Sequence, residues 1–227
     1  MFNAIGHSTQ TNMLSFQARK KHEKPPLDRE HTVAILGTGK DLETTEKYTQ
    51  MAYEVANKLA KDGYNVVTGG GDGIMSAANK GATDADAKKS FSIMVKYWPN
   101  KIGQKFFNVL STVMSGPKRT DMFAKDAGTW IVFPGGTGTL EEIGVGTESK
   151  YYGHKDDRVA HPDKIIMVDR EFQKPLKAYI NGMQEMGLAP LPQNSEKETL
   201  FEELFEEADT SKEIVDKVEN KKLSTIT

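Results

Sequence analysis

The sequence predicts an α/β protein, with a Rossmann-like open parallel sheet and helices on both faces. From residue 32 onward, short runs rich in β-branched residues alternate with segments of helical periodicity, which is the pattern of successive β–α–β units. Three successive β-rich runs, the predicted strands, pass into glycine-rich or loop segments. Open parallel sheets bind their ligands at such strand ends, so we expect these segments to line one crevice.

The first β–α unit follows from a strand at residues 32–36, which ends in Gly37-Thr38-Gly39. Apolar residues at helical spacing come next, until Gly63 stops the helix. The apolar face of this helix is predicted to consist of Tyr48, Met51, Ala52, Val55 and Leu59.

The second unit begins with a strand over residues 64–68, which runs into the glycine-rich residues 69–73. A short helix over residues 74–80 is predicted to close at Gly81. Residues 91–95 form the next strand and lead into a longer loop. The order of these elements again favours a parallel sheet.

The second half of the sheet is predicted from two further strands, residues 129–133 and 164–168, with a helix over residues 172–183. His154 and His161 lie in a charged segment without metal-ligand spacing, so we interpret them as loop residues.

The chain is expected to contain one catalytic domain, residues 31–190. Residues 1–30 are polar and predict a flexible N-terminal arm, with organelle targeting or docking on a partner subunit as alternatives. Residues 191–227 are predicted to form helices that pack on or extend the same domain. Two capping boxes mark their starts, Ser195 with Glu198 and Thr210 with Glu213.

Composition excludes several classes of function. A formal net charge of -2 and a pI near 6.2 give no general attraction to nucleic acid or anionic membranes. Without cysteine there is no disulfide, thiolate metal site or cysteine nucleophile. No apolar stretch approaches the roughly 20 residues that a membrane span requires. We therefore expect a cytoplasmic protein with no nucleic-acid or membrane partner, no metal site and no cofactor.

The most informative segment is FPGGTGTLEE, residues 133–142, where an apolar strand runs into three glycines. Gly135, Gly136 and Gly138 allow the backbone to approach a ligand closely. The amide groups and the positive end of the following helix dipole favour an anion. This segment predicts a site for an anionic ligand, held mainly by backbone N–H groups.

Two other glycine-rich segments differ in how strongly they indicate a ligand site. Gly37-Thr38-Gly39 is not a dinucleotide fingerprint, because Leu42 replaces the third glycine and no acidic residue closes the second strand. It is not a nucleotide P-loop either, and we interpret it as a tight turn over a ligand pocket. Residues 69–73 contain four glycines in five positions, which favours close approach of a ligand over a plain turn.

The carboxylates of Glu141 and Glu142, at the mouth of this turn, and two cations complete the candidate site. Thr139 and Glu142 have the spacing of a capping box, which is one reading of them. The other is that Glu142 faces a cation forming on the substrate, since a carboxylate would otherwise repel a bound anion. Lys118 and Arg119 lie in the first turn of a predicted helix, where the helix dipole disfavours cations. They indicate an anionic partner, with a solvated surface as the alternative.

Residues 134–142, PGGTGTLEE, resemble the signature PGGxGTxxE of the Lonely Guy family. The resemblance extends over about residues 32–183 and includes a GGGxxGxM-like turn at residues 69–75. Members of this family adopt a Rossmann-like fold, are usually dimeric, and hydrolyse nucleoside 5′-monophosphates to the free base and ribose 5-phosphate.

The resemblance implies a homodimer whose substrate is AMP or a cytokinin ribotide. It also implies that Arg119 and Glu142 are catalytic, with Glu142 beside the oxocarbenium-like ribose and the glycine-rich turn on the 5′-phosphate. The substrate-binding residues that it implies are Gly37, Gly70, Gly71, Gly135, Gly136, Thr137, Gly138 and Thr139.

The chain departs from the family pattern at two places. Thr120 follows Arg119 where the family commonly has lysine, and the next methionine, Met122, is three rather than four positions after the arginine. A charged insertion, residues 151–162, follows the signature helix. The insertion leaves the base preference open. The changed residues after Arg119 and the unusual N-terminal arm leave an alternative function open, a non-catalytic module that binds or senses nucleotides on the same fold.

Overall fold

The computed structural model describes residues 27–97, 107–153, 160–189 and 197–220, without the side chains of residues 152 and 153. The strands are β1 (Thr32–Leu36), β2 (Asn65–Thr68), β3 (Ser90–Val95), β4 (Asn108–Val113), β5 (Thr129–Val132), β6 (Lys164–Val168) and β7 (Glu206–Ala208). The α-helices are α1 (Glu46–Lys61), α2 (Ile74–Ala85), α3 (Gly116–Asp126), α4 (Thr137–Gly153), α5 (Arg170–Glu185), α6 (Leu200–Leu204) and α7 (Ser211–Val218). Short 3-10 turns lie at Glu43–Thr45 and Ala87–Lys89.

The seven strands form one parallel sheet in the order β4-β3-β2-β1-β5-β6-β7. From β1 the chain adds β2, β3 and β4 on one side, then crosses and adds β5, β6 and β7 on the other. The predicted Rossmann-like α/β class is confirmed. The reversal of direction next to β1 creates a topological switch point, where sheets of this kind bind ligands.

Each face of the sheet carries its own core, because successive side chains of a strand point to opposite faces. Val33 and Ile35 of β1 lie in a core with α1, α2 and α7. Ala34 and Leu36 lie in a second core with α3, α4, α5 and α6. All five residues of β1 are buried, since the strand has neighbours on both sides and helices over both faces.

Two strands that the sequence did not predict extend the sheet at its edges. β4 lies at one edge and is mostly half-buried, so it lacks the continuous apolar run of an inner strand. β7 is only three residues, Glu206–Ala208, and contains two glutamates. It is a strand because β6 offers a ladder to pair with, not because its own sequence favours one.

The prediction that Gly81 ends the second helix is wrong, since α2 continues to Ala85. Gly81 is buried where α2 crosses α1, and a Cβ there would fall well inside van der Waals contact of the Tyr53 carbonyl. The glycine permits close packing of the two helices instead of terminating one of them.

The predicted C-terminal helices are correct in part. Ser195 lies outside the described residues, and the described helix α6 is capped by Thr199, whose hydroxyl accepts from the Glu202 amide. The predicted cap of α7 is confirmed, because the Thr210 hydroxyl accepts from the amide of Glu213 at 3.1 Å. α7 packs against α1, so this segment covers one face of the sheet.

Two predicted loop or arm segments contribute to the domain. α4 continues through Gly153, so the first residues of the predicted charged insertion are helical. His161 is in a loop as expected, whereas His154 lies outside the described residues. Of the predicted arm, residues 1–26 also lie outside them, and Leu27 packs against the core that includes α3. Within the described chain, no helix is both long and apolar enough to cross a membrane.

We expect Gly81→Ala to lower the free energy of unfolding by roughly 1–3 kcal/mol, because the added methyl group forces α1 and α2 apart. Denaturant unfolding followed by circular dichroism measures the change. Gly182→Ala in α5 is the matched control, since a Cβ there meets nothing within 4 Å. The control should be neutral or stabilising by up to about 1 kcal/mol. Equal effects of the two variants would contradict the packing explanation.

Candidate functional site

A cavity of about 360 Å³ opens at the carboxyl ends of the strands, at the topological switch point. The turns that follow β1, β2 and β5 surround it, and α3 contributes Arg119. The prediction that three successive strand ends line one crevice is confirmed for β1 and β2 only. The described residues that follow β3 do not line the cavity, and the end of β5 takes that place. The volume suits a small organic ligand of nucleotide size.

Most of the residues that the resemblance assigns to the site line this cavity. They are Gly37, Gly71, Arg119, Gly136, Thr137, Gly138, Thr139 and Glu142. Gly70 does not line it: a Cβ on Gly70 would contact Met94 and Ser92, and its φ of +68° is the left-handed conformation that glycine adopts easily. Gly135 borders a neighbouring apolar groove and backs directly onto Thr139. The substrate-binding roles of all these residues stay predictions.

The amino terminus of α4 provides a cluster of amide donors. The amide of Leu140 donates to the carbonyl of Gly136 at 3.0 Å, so Gly136, directly before α4, accepts the first hydrogen bond of the helix. The preceding amides, those of Thr137, Gly138 and Thr139, therefore have no intrahelical acceptor. They line the cavity together with the positive end of the helix dipole, so an anion is stabilised there.

A buried ion pair lies beside these amides. The Arg119 Nη2 atom donates to Glu142 Oε1 at 2.8 Å, and the two side chains are 6% and 5% exposed. Arg119 comes from α3 and Glu142 from α4, so the pair forms only when the two helices pack together. Removing two charges from water is costly, and each ion compensates part of the cost for the other.

Burial raises the pKa of the Glu142 carboxyl from 4.5 to about 7. Arg119 opposes this shift by favouring the charged form, whereas the nearby Glu141 adds to it. A carboxyl with a pKa near neutrality inside a cavity is typical of functional sites, because it exchanges a proton at physiological pH.

The glycine-rich turn after β2 leaves room for the arginine. A Cβ on Gly69 would lie 2.6 Å from Arg119 Nη1, so a larger residue would displace the guanidinium. On its other side the guanidinium lies 5.8 Å from the centroid of the Phe123 ring. Lys118, its neighbour in sequence, is exposed, which agrees with the solvated-surface alternative for that residue alone.

The capping-box reading of Thr139 and Glu142 is wrong. α4 begins at Thr137, so Thr139 is the third residue of the helix and not its cap. Glu142 lies almost two turns inside the helix, where its side chain turns toward Arg119. Its burial next to a cation is the arrangement expected if its charge serves a ligand.

Six further residues line the cavity beyond the predicted catalytic and substrate-binding set. Thr38, Gly39, Gly69 and Asp72 lie in glycine-rich segments that the sequence predicted to approach a ligand, whereas Lys40 and Met75 lie just outside those segments. Lys40 directly follows the glycine turn after β1, and Asp72 lies within the glycine run after β2. A charged residue in or next to a glycine-rich strand end is a signal that sequence reasoning can use.

An apolar groove adjoins the cavity and shares Gly136, Thr137 and Thr139 with it. It runs between α4 and α5, and its exposed apolar side chains include Leu140 and Tyr179. A surface of this kind is typical of an interface with another molecule.

Comparison with known proteins places the chain in a family. Residues 30–152, more than half of the chain, match the model of the SLOG cluster4 family. An uncharacterized protein of Archaeoglobus fulgidus is 27% identical over 150 residues, which is 64% of this chain and 90% of that protein.

Solved structures share the fold. The molybdenum cofactor carrier protein of Chlamydomonas reinhardtii has a TM-score of 0.56 and 20% identity, covering 83% of this chain and 95% of its own. The molybdenum cofactor binding protein of Rippkaea orientalis has a TM-score of 0.54 and 17% identity, with the same coverage. DNA processing protein A of Helicobacter pylori has a TM-score of 0.52 and 14% identity, covering 86% of this chain and 81% of its own.

We expect Glu142 to make the protein less stable as pH rises from 4.5 to about 7. In this window the folded state retains a proton that the unfolded chain has released, so raising the pH favours unfolding by at most about 1.4 kcal/mol per pH unit. The stabilising contribution is complete below pH 4.5 and lost above about 7. The measurement is the stability of Glu142→Gln relative to wild type across this range.

The variant should gain relative stability as pH rises, and the gain should level off above about pH 7. Glu148→Gln, at an exposed position of the same helix, is the control. A difference between wild type and Glu142→Gln that does not change with pH would show that the carboxyl titrates normally.

Proposed function

The chain belongs to the SLOG cluster4 family, and from this membership and the cavity geometry we propose that it hydrolyses the N-glycosidic bond of a nucleoside 5′-monophosphate. The products are the free base and ribose 5-phosphate. The observation that supports the proposal best is the buried Arg119–Glu142 pair, which lies in the cavity beside the amino terminus of α4.

The 5′-phosphate binds at the amino terminus of α4. The amides of Thr137, Gly138 and Thr139 donate to its oxygens, and the helix dipole favours its charge. Because the phosphate does not react, its binding energy positions the ribose for the chemical step.

Glu142 acts on the ribose. Cleavage of the bond between ribose and base develops positive charge on the sugar, and a carboxylate held beside it stabilises that charge. The stabilisation is large because Glu142 is only 4% exposed and water screens it weakly. Its ionised form is the active one, and it also orients the attacking water.

Arg119 keeps Glu142 in place and favours its ionised form at neutral pH. Arg119 lines the cavity, where a planar guanidinium suits ribose hydroxyls or a phosphate oxygen. Lysine would not substitute, because an ammonium lacks this planar set of donors.

A second candidate function is binding without turnover, as in a nucleotide-sensing module. Solved structures that share the fold are named as carrier and binding proteins of the molybdenum cofactor, which shows that such a fold also serves to hold a ligand. The same cavity would then bind the nucleoside monophosphate and release it unchanged.

The test of the proposal is chromatographic detection of free base and ribose 5-phosphate after incubation of the purified protein with AMP and with isopentenyladenosine monophosphate. We expect Glu142→Gln to reduce turnover by roughly 10²-fold or more while nucleotide binding persists, because the charge that stabilises the transition state is removed. In the wild type, kcat/KM should rise as pH rises through about 7.

Glu141→Gln is the matched control and should retain most of the activity, because Glu141 does not line the cavity. Tight binding of AMP without release of base by the wild type would instead identify the non-catalytic module.

We expect Gly138→Ala to raise KM for AMP at unchanged thermal stability. A Cβ at this position meets no protein atom within 4 Å, so the fold tolerates it, but the methyl group lies where the phosphate approaches the α4 amides. Gly144→Ala, in the same helix and outside the cavity, is the control. Adenosine, which lacks the phosphate, should be a poor substrate for all variants. A normal KM in Gly138→Ala would place the phosphate elsewhere.

The homodimer implied by the resemblance stays a prediction, and light scattering measures it directly. The apolar groove next to the cavity is a surface where a second copy would bury exposed side chains such as Leu140 and Tyr179.

A further inference from the structure

One carboxylate in the cavity has no role in the mechanism above. Asp72 lines the cavity and is half-buried, although the other features of this cavity favour anions. A carboxylate in such a place repels a phosphate unless the ligand presents a hydrogen-bond donor or a positive charge to it. Asp72 therefore indicates a second, chemically different end of the ligand.

No structural role in the surrounding fold explains a carboxylate at position 72. It directly precedes Gly73, the last residue before α2, yet no side chain caps this helix and the Ile74 amide donates to the carbonyl of Thr38 instead. Lys40 lines the cavity nearby, but the structure shows no ion pair between the two. Within the part of the chain that the structure describes, the Asp72 carboxylate has no hydrogen-bond or ion-pair partner.

Asp72 and the amides of α4 belong to different strand ends at the cavity. Asp72 follows β2, the α4 amides follow β5, and β1 lies between these two strands. Two strand spacings separate their ends by about 10 Å. The Arg119 guanidinium, which contacts Gly69 at the end of β2 and Glu142 in α4, lies between them.

This arrangement defines the orientation of the bound nucleotide. With the phosphate on the α4 amides and the ribose beside Glu142, the base extends toward the turn after β2. The edge of the base then meets a group that only accepts hydrogen bonds, because an ionised carboxylate has no proton to donate.

We propose that Asp72 selects the base by accepting a hydrogen bond from an exocyclic amino group, so that the substrate is a 6-aminopurine monophosphate and not its 6-oxo counterpart. The inference rests on the proposed binding mode of the phosphate and ribose. An N6-substituted adenine still carries one N–H and is accepted, whereas the 6-oxo group of hypoxanthine brings an acceptor against the carboxylate and is rejected.

The experiment compares AMP with IMP in the wild type and in Asp72→Asn. The wild type should prefer AMP by roughly 10- to 100-fold in kcat/KM, the range expected for a hydrogen bond to a charged group. Asparagine offers both an acceptor and a donor, so the variant should accept IMP and lose at least about 10-fold of the preference. Asp121→Asn, an exposed position on α3 outside the cavity, is the control and should leave the preference unchanged.

The outcomes separate this inference from the proposed function. Turnover of AMP with an unchanged AMP-to-IMP ratio in Asp72→Asn overturns the inference and leaves the hydrolase intact. If the wild type turns over neither nucleotide, the proposed hydrolase activity is refuted. The ratio of the Kd values for AMP and IMP, measured by calorimetry in the wild type and in Asp72→Asn, then decides the role of Asp72. A preference for AMP that the variant loses supports the inference, and equal Kd values for AMP and IMP in the wild type overturn it.

Discussion

The burial of the Arg119–Glu142 ion pair is the constraint on which the rest of the site depends. Two charges that are almost completely removed from water must remain in contact, because an isolated buried charge is strongly destabilising. Their contact fixes how α3 packs against α4. It also requires a glycine at position 69, where any side chain would displace the guanidinium. The glycine-rich turn after β2 is thus shaped by the arginine as well as by the ligand.

The position of this pair follows from the order of the strands. The chain reverses direction at β1, so the turns after β1 and β5 separate and leave a crevice between them. α4 starts in this crevice and directs its first amides into it, while Glu142 follows almost two turns later. Anion binding and a carboxylate of raised pKa are therefore supplied by one helix, and the distance between them is set by helix geometry.

The two ends of the cavity have opposite preferences. The α4 amides attract negative charge, whereas Asp72 attracts hydrogen-bond donors, and the Arg119–Glu142 pair lines the same cavity. A ligand with a phosphate at one end and a hydrogen-bond donor at the other satisfies both. The two groups together define the orientation of the bound ligand, which neither the glycine-rich turns nor the ion pair defines alone.

The sequence by itself determined the fold class, the strand ends that form the site and the identity of Arg119 and Glu142 as candidates, because periodicity, glycine runs and a short signature are local properties. Only the tertiary structure decided the rest. β7 is a strand because β6 pairs with it, Gly81 is a packing residue because α1 crosses it, and Thr139 is not a cap because α4 starts at Thr137. The burial that raises the pKa of Glu142, and the exposure of Asp72 to the same cavity, arise from contacts between residues far apart in sequence, which no local pattern encodes.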